Sequence, residues 1–312
     1  MIGLALFVLL LFVGVAWTTS LLTRGLARAG RRWLAQVEPA ARARIWLSAA
    51  LAPWAIGAAV VSGALVPREW LGEVNHCLEH VHMHLCALCG APAPNLVAVT
   101  LLGVVLAWLA VGVTRAVRRA ARGLRTLRRM DARADGDLRV MRDDRLQAFT
   151  SGLLTPRIYV SDAVAADPER WRAVLAHERA HVARRDPLVR IVARLATALH
   201  LPGTADLVLR ELEEAQELAA DESAAATVGD RALVAATLVD WVRGARSAPV
   251  ASIAFEGASL ERRVALLLDP PRYHRRPLAS SPWAHAAAGA LLAVASTSLH
   301  HSLEHLLELF AG

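Results

Sequence analysis

Long apolar blocks alternate with strongly basic stretches along this chain of 312 residues. Residues 1–23 carry no charged side chain, and uncharged blocks recur at 45–67, 90–114 and 277–299. Each block is close to the roughly 20 residues that a helix needs to cross the hydrocarbon core of a bilayer. The pattern therefore predicts four transmembrane helices. A signal peptide is the alternative for the first block, but the basic start and the small-residue cleavage site of that class are missing.

The remaining sequence is polar enough to form a domain between the third and fourth apolar blocks. Hydrophobic residues make up 55% of the chain and charged residues 20%, so the two classes must be segregated. We predict three transmembrane helices within 1–117, a folded domain at 118–276, and a fourth helix with a short tail at 277–312. The apolar stretch 187–203 is interrupted by two arginines and is predicted as an amphipathic or buried helix against the membrane or the core.

Arginine is distributed unevenly between the predicted connections. Residues 24–44 hold six arginines and residues 115–129 hold seven, whereas residues 68–89 hold one. By the positive-inside rule the basic loop at 24–44 and the connection at 115–129 are cytosolic, and the loop at 68–89 is external. This predicts a multi-pass protein of the plasma membrane with both termini outside and the domain 118–276 in the cytosol. Because the basic residues flank apolar blocks, the net charge of +7 does not indicate direct nucleic-acid binding.

One helix of the cytosolic domain carries a metal-binding motif. Residues 167–168, an aspartate followed by proline, predict an N-cap and a first helical position, and the helix should run past Arg184. Within it His177 and His181 have the i, i+4 spacing that places both imidazoles on one face, able to hold one metal ion. Glu178 would then lie beside the metal as a general base that takes a proton from water.

A second helix, predicted to begin near Glu211, offers the third ligand that a catalytic zinc needs. Glu217 and Asp221 share one face of that helix. A carboxylate there could complete the metal shell, while the aspartate one turn later accepts a hydrogen bond from a ligand histidine and fixes its tautomer. Glu213 and Glu214, like Glu211, are competing candidates for the ligand.

Three segments, 151–160, 177–188 and 217–221, resemble the BlaR/MecR-type membrane metallopeptidases, gluzincins that signal beta-lactam exposure, and more distantly the HtpX/Ste24 type. The resemblance implies a mainly α integral membrane protein whose cytosolic domain is an α+β gluzincin-type zinc protease. It implies Zn²⁺ as cofactor and the following roles: His177, His181 and Glu217 as ligands, Glu178 as base, and Asp221 as the partner of a ligand.

The segment 157–161 reads as a short strand after a turn region rich in Gly and Pro. The resemblance implies that it is an edge strand beside the zinc, to which an extended substrate adds by main-chain hydrogen bonds. The substrate-binding residues of this strand would be Arg157, Ile158, Tyr159 and Val160. His200 and His274 are candidates for stabilising the transition state, although a lone histidine is usually structural.

The resemblance also implies a regulatory endopeptidase with a polypeptide substrate. The substrate would be a cytosolic transcriptional repressor of the BlaI/MecI winged-helix type, the protease itself, or both, cut in response to an external signal; a homo-oligomer is compatible with this. The chain stops at Gly312 and has no S-x-x-K acylation motif, so we expect no direct sensing of beta-lactams. The alternatives are a constitutive HtpX-like quality-control protease and a non-enzymatic metal-binding membrane protein, and the retained Glu178 argues against the latter.

The predicted external connection concentrates soft and borderline metal ligands. His76, His80 and His84 would share one helical face, and Cys86 and Cys89 form a C-x-x-C pair. Met83 adds a thioether, and the set suits copper or zinc. Three tail histidines on the same predicted side could join it: His300, His301 and His305. The alternative is a disulfide-stapled loop with incidental histidines.

Overall fold

The computed structural model shows a mostly helical protein with one small sheet. It describes residues 2–65, 96–129, 132–135, 138–144, 146–152, 154–245 and 253–273. The predicted external cluster at 76–89, the predicted helix at 277–299, the tail histidines and His274 lie outside the described residues. Predictions about them stay predictions.

Three long helices carry the first three predicted transmembrane segments. They are α1 (Ile2–Ala29), α3 (Pro39–Leu65) and α4 (Leu96–Arg129). Within the described residues, the stretches Val8–Ala29 and Pro39–Gly63 are long and apolar enough to cross a membrane, whereas the apolar part of α4 is shorter. Many large apolar side chains on these helices are exposed, as expected for surfaces that contact lipid.

The predicted basic connection at 24–44 is mostly helical, which corrects the expectation of a loop. α1 continues to Ala29, α2 spans Arg31–Ala35, and α3 already begins at Pro39. Alanine, leucine and arginine are all good helix formers, so nothing in this sequence stops α1 where its apolar block ends. The end of an apolar block marks a change of solvent and not the end of a helix.

Four short strands form a sheet in the order β1-β2-β4-β3. They are β1 (Ala132–Asp135), β2 (Leu138–Met141), β3 (Ala148–Ser151) and β4 (Arg157–Ser161). β2 and β4 are parallel, and the other two pairs are antiparallel. The predicted strand at 157–161 is confirmed with these bounds.

The predicted edge position of that strand is wrong. β4 pairs with β2 on one side and with β3 on the other, so Val160 faces Val140 and Ala148 in the two registers. The main-chain groups of Arg157, Ile158, Tyr159 and Val160 are therefore already used by the sheet. Gly152 makes this possible, because its φ of +118° lets β3 fold back, and a Cβ there would lie 2.5 Å from the carbonyl oxygen of Thr155. In the described residues the outer edge of β3 has no paired strand.

A short helix, α5 (Asp162–Ala165), leads into α6 (Pro168–Arg184). The predicted cap is confirmed: the Asp167 carboxylate accepts hydrogen bonds from the backbone N–H groups two and three residues further on. The helix ends at Arg184 instead of running past it. Arg185 adopts a left-handed φ of 53°, and α7 (Asp186–Ala196) begins a new axis with a proline in its first turn.

α8 (Thr204–Val228) is the central helix of the protein. It begins about two turns before Glu211, where the sequence had suggested its start. The additional turns belong to the core: Val208 and Leu212 are fully buried and pack in one cluster with Trp46 of α3. One half of α8 thus faces a membrane helix.

The other half of α8 packs against α6 and two further helices, α9 (Arg231–Ala245) and α10 (Ile253–Leu268). The contact is built from small side chains, including Ala173 of α6 and Ala224 of α8, together with Leu267. Small residues let the helix backbones approach closely, which fixes α8 relative to the metal-binding motif on α6.

The stretch 187–203, predicted as an amphipathic or buried helix, is helical to Ala196 and amphipathic: Ala193 is buried, whereas Val192 and Leu195 are exposed. Ala193 lies in the cluster shared by α3, α7 and α8.

His200, only 1% exposed, donates from Nε2 to the carbonyl of Ala49 at 3.1 Å and accepts from the Ser20 hydroxyl at Nδ1 over 3.2 Å. These bonds tie the segment to α1 and α3, so His200 has a structural role and does not serve as an oxyanion partner.

Candidate metal centre

α6 places the two motif histidines one turn apart on the same face. The Nε2 atoms of His177 and His181 are 3.1 Å apart, and the two rings meet edge to face. His181 and Glu178 are buried, and His177 is nearly so. The i, i+4 spacing on a helix makes this convergence possible without any backbone distortion.

Glu217 of α8 faces the two histidines. Its Oε2 lies 3.5 Å from His177 Nε2, and its Oε1 lies 3.6 Å from His181 Nε2. One ligand atom from each of the three residues can be chosen so that all lie within 4.8 Å of one another. The predicted third ligand is therefore next to the motif, supplied by a helix that is fixed by its own packing.

These donors fit the coordination geometry of zinc. With zinc–nitrogen and zinc–oxygen bonds of about 2.0–2.1 Å, neighbouring ligand atoms of a tetrahedral shell lie about 3.3 Å apart. The separations between His177, His181 and Glu217 are 3.1, 3.5 and 3.6 Å. The two distances to Glu217 use different carboxylate oxygens, and a set with one ligand atom per residue lies within 4.8 Å, so the Glu217 carboxylate must rotate to bring one oxygen close to both imidazoles. Such a shell would leave a fourth position for water.

A buried aspartate anchors each histidine from the far side. His177 Nδ1 lies 3.0 Å from Asp221 Oδ1, and His181 Nδ1 lies 2.6 Å from Asp186 Oδ2. A carboxylate at this distance favours a proton on Nδ1, which leaves the Nε2 lone pair free for a metal. Two such lone pairs and the Glu217 carboxylate then face each other, an arrangement that calls for a cation between them.

Arginines surround the carboxylates of the site. Arg263 of α10 donates from Nε and Nη2 to both oxygens of Asp221 at 2.7 Å and lies 3.4 Å from Glu217. Arg190 of α7 donates to Glu217 Oε1 at 2.7 Å. The paired charges hold Glu217 and Asp221 ionised in a buried site, which a metal ligand and a histidine anchor require.

The ionisation of the site follows from these contacts. Burial disfavours the charged form of His177, but its hydrogen bonds to Asp221 and Glu217 outweigh that effect and raise its pKa to about 9. Burial likewise opposes ionisation of Glu217, yet the hydrogen bond from His177 and the charge of Arg263 hold its pKa well below the usual range. In the absence of metal, His177 is therefore protonated, and its positive charge is stabilised by Asp221 and Glu217.

Glu178 points to the sheet side of the site. Its Oε2 accepts a 2.7 Å hydrogen bond from the hydroxyl of Thr150 on β3, and the same hydroxyl lies 3.2 Å from the Glu178 carbonyl oxygen. This contact fixes the carboxylate next to the two histidines and ties edge strand β3 to α6.

A small cavity of about 150 Å³ opens beside the site. Its wall includes His177, Glu178 and Glu217, and α9 contributes Leu238 and Trp241 on the opposite side. A reacting group in this cavity would contact the metal ligands and the candidate base together.

The family comparison agrees with this geometry. The BlaR1 peptidase M56 family model matches residues 95–267, more than half of the chain. The chain belongs to the BlaR1 peptidase M56 family. No curated protein and no solved structure matches the chain.

Membership in the M56 family confirms the BlaR/MecR-type resemblance and implies a membrane metallopeptidase that holds a metal and acts on a polypeptide. The match runs from the start of α4 almost to the end of α10, so it contains His177, Glu178, His181 and Glu217. The metal that this family implies has a suitable set of donors in the chain.

The competing glutamates of this M56 peptidase have other contacts. Glu213 accepts a 2.8 Å hydrogen bond from Arg194, and Glu214 pairs with Arg262. Glu211 lines a different, larger cavity. Of the acidic residues on α8, Glu217 is the one grouped with the two histidines.

Sequence reasoning missed three parts of the site: Asp186, Arg263 and Thr150. Asp186 lies inside a segment used for the family resemblance, and its position before a proline at the start of a helix was the available signal. It reaches His181 only because the left-handed Arg185 turns the chain back. Arg263 is 42 residues from its partner Asp221, and no local pattern links the two.

Proposed function

We propose that this M56 peptidase is a zinc endopeptidase whose ligands are His177, His181 and Glu217 and whose general base is Glu178. The observation that carries the proposal is the convergence of two aspartate-anchored imidazoles and one carboxylate, whose ligand atoms lie within 4.8 Å of one another. A non-enzymatic metal site would need these three donors but would not need the buried Glu178 held beside them.

Zinc bound to this set would act as a Lewis acid and make water a stronger nucleophile at neutral pH. The protein itself supplies the proton transfers. Glu178 accepts a proton from the attacking water and passes it to the departing amine of the peptide. Thr150 keeps the Glu178 carboxylate aimed at the cavity, while Asp221 and Asp186 keep both imidazoles in the ligating tautomer.

We further propose that the substrate chain adds to the outer edge of β3, at 148–151. This edge takes the place of β4, whose main-chain groups are used on both sides. Ala148 lines the cavity at the metal site and Thr150 contacts Glu178, so a peptide paired with β3 would pass the catalytic residues. Main-chain pairing would give affinity with little dependence on side-chain identity.

The substrate we propose is a cytosolic repressor of the BlaI/MecI winged-helix type, the protease itself, or both. In this arrangement the enzyme is multi-pass, its protease domain lies in the cytosol, and cleavage relieves repression in response to an external signal. The basic ends of α1 and α4 support the cytosolic orientation. The external cluster at 76–89 is our candidate for a metal-responsive input.

The proposal can be tested by changing the base while keeping the ligands. Glu178→Gln in the full-length protein should retain one zinc per chain and lose cleavage by about 10²–10⁴-fold, because the amide cannot accept the proton. Glu169→Gln, on the first turn of the same helix and away from the metal site, is the matched control and should behave like wild type. Cleavage of casein and zinc content are both measured. Normal turnover by Glu178→Gln would contradict the assigned mechanism.

A further inference from the structure

A second cavity, much larger than the one at the metal site, lies between α1, α2 and α3 on one side and α8 and α10 on the other. Its volume is about 1360 Å³, beyond the 300–1,000 Å³ that small-molecule sites usually occupy. The two cavities adjoin each other, because both are lined by Ala148, Glu217, Leu238, Trp241 and Arg263. We call the larger cavity the basic chamber.

The charges around the basic chamber are unbalanced. Eight arginines and four glutamates line it. The arginines are Arg24, Arg28, Arg31, Arg42, Arg190, Arg210, Arg262 and Arg263. On the protease wall arginines are paired, for example Arg190 with Glu217 and Arg262 with Glu214.

The opposite wall is different. Arg24 and Arg28 of α1, Arg31 of α2 and Arg42 of α3 make no side-chain hydrogen bond or ion pair with any residue that the structure describes. Four positive charges therefore face the basic chamber from the membrane-helix side. Such a surface concentrates anions, and the low-dielectric walls of a cavity strengthen the attraction.

Arg42 is the residue that most needs a partner. It is only 5% exposed, and its buried Nε has no hydrogen-bond partner among the described residues. Leaving a buried charged donor unsatisfied costs stability. The charges of Glu214 and Glu211 attract the Arg42 guanidinium and offset part of that cost. An anionic group inside the basic chamber would add to this attraction, although the buried Nε itself has no surface that a ligand could contact.

We propose that the basic chamber binds acidic side chains of the polypeptide substrate, on one side of the bond that is cut. This inference rests on the proposed peptidase function and specifies its substrate class. Leu146, Gln147 and Phe149 line the basic chamber beside β3, while Ala148 is shared with the metal cavity. A substrate extended along β3 at about 3.3 Å per residue therefore passes from the metal site into the chamber within a few residues.

A phospholipid headgroup carries a similar negative charge, and basic helix ends often contact such headgroups. The wall that the basic chamber shares with the metal cavity and its lining of residues next to β3 favour a peptide. Lipid binding thus becomes one outcome of the test.

The test measures binding in a cleavage-deficient background, so that it does not depend on turnover. The full-length Glu178→Gln protein in detergent is titrated against a fluorescent alternating alanine–glutamate peptide and against its alanine–glutamine counterpart, each spanning about 40 Å at roughly 12 residues. We expect the acidic peptide to bind at least about tenfold more tightly, as charge-assisted hydrogen bonds would give. The difference should shrink as salt is added.

Adding Arg24→Gln, Arg28→Gln and Arg31→Gln should remove most of this tenfold preference. The control carries Arg32→Gln on α2 and Arg44→Gln on α3, two exposed arginines that do not line the basic chamber. The control should keep the preference. Equal binding of both peptides, or the same preference in all three proteins, would overturn the inference.

Two further results are informative. The first distinguishes a peptide site from a lipid site, and the second distinguishes failure of the proposed peptidase function from failure of the proposed anionic site. If the triple change left the peptide preference intact but abolished binding of phosphatidylglycerol in mixed micelles, the basic chamber would be a lipid site and the inference would be wrong. If acidic peptides bound in the predicted arginine-dependent way while the protein without Glu178→Gln cleaved none of them or casein, the proposed peptidase function would fail and the anionic site would stand.

Discussion

The metal centre and the basic chamber share a wall but are built in opposite ways. At the metal centre His177, His181, Glu217 and their anchors are held by short contacts of 2.6–3.6 Å. In the basic chamber the arginines of α1, α2 and α3 have no described partner. One region is fixed by its internal contacts, and the other presents its charges to an incoming anion.

This difference separates two requirements of proteolysis. Catalytic groups must be preorganised, because misplacing them by even 1 Å costs rate. A substrate-binding surface can leave its charges solvated until the ligand arrives and replaces the water. Arg263 lies at the boundary, because it fixes Asp221 and also lines both cavities.

Replacing Arg263 should have the largest effect on stability of the changes that distinguish the metal centre from the basic chamber. Arg263→Gln should lower the free energy of unfolding by about 3–5 kcal/mol, because it leaves the buried Asp221 without its bidentate partner. Arg262→Gln, one residue earlier, removes an exposed pair with Glu214 and should cost no more than about 1 kcal/mol. Unfolding of the full-length protein in mixed micelles measures both. Equal losses of stability would mean that the buried pair of Arg263 with Asp221 contributes no more than the exposed pair of Arg262 with Glu214.

Asp186 tests how far the preorganisation of the metal centre matters. Asp186→Asn removes the anion that orients His181 while changing almost no volume, and it should weaken zinc binding by about 10–100-fold. Asp206→Asn, on the exposed face of α8, is the control and should bind zinc like wild type. Competition with a chromophoric chelator measures the affinities. An unchanged affinity in Asp186→Asn would show that the anchor contributes nothing to metal binding.

Local patterns were enough to predict the helix that carries the motif. The Asp167 cap and the i, i+4 histidines act within one helix, so periodicity and capping rules apply directly. Glu217 and Asp221 could also be predicted from the sequence, because they share a helical face and their carboxylates complement the two histidines. Family resemblance added their roles.

Features that depend on tertiary packing were not predictable in this way. The start of α8 was placed too late because Val208 and Leu212 are buried by α3, a helix more than 150 residues earlier in the chain. The family resemblance implied an edge position for β4, and the four-residue strand β3 that pairs with it is too short to show the period of two that would have corrected this. Arg263 reaches Asp221 from another helix, and no spacing rule could pair them.

The most direct test of the metal centre is the coordination shell of zinc in the full-length protein loaded with one equivalent of metal. X-ray absorption at the zinc edge should show about four nitrogen and oxygen neighbours at about 2.0–2.1 Å, two of them imidazoles, with no sulfur. Glu217→Ala should weaken zinc binding and alter this shell, whereas Glu213→Ala, one turn earlier and paired with Arg194, should leave both unchanged. A spectrum identical in wild type and Glu217→Ala would contradict a metal centre formed by His177, His181 and Glu217, and the experiment is repeated with Cys86→Ser and Cys89→Ser so that a sulfur neighbour at about 2.3 Å from the external cluster does not obscure it.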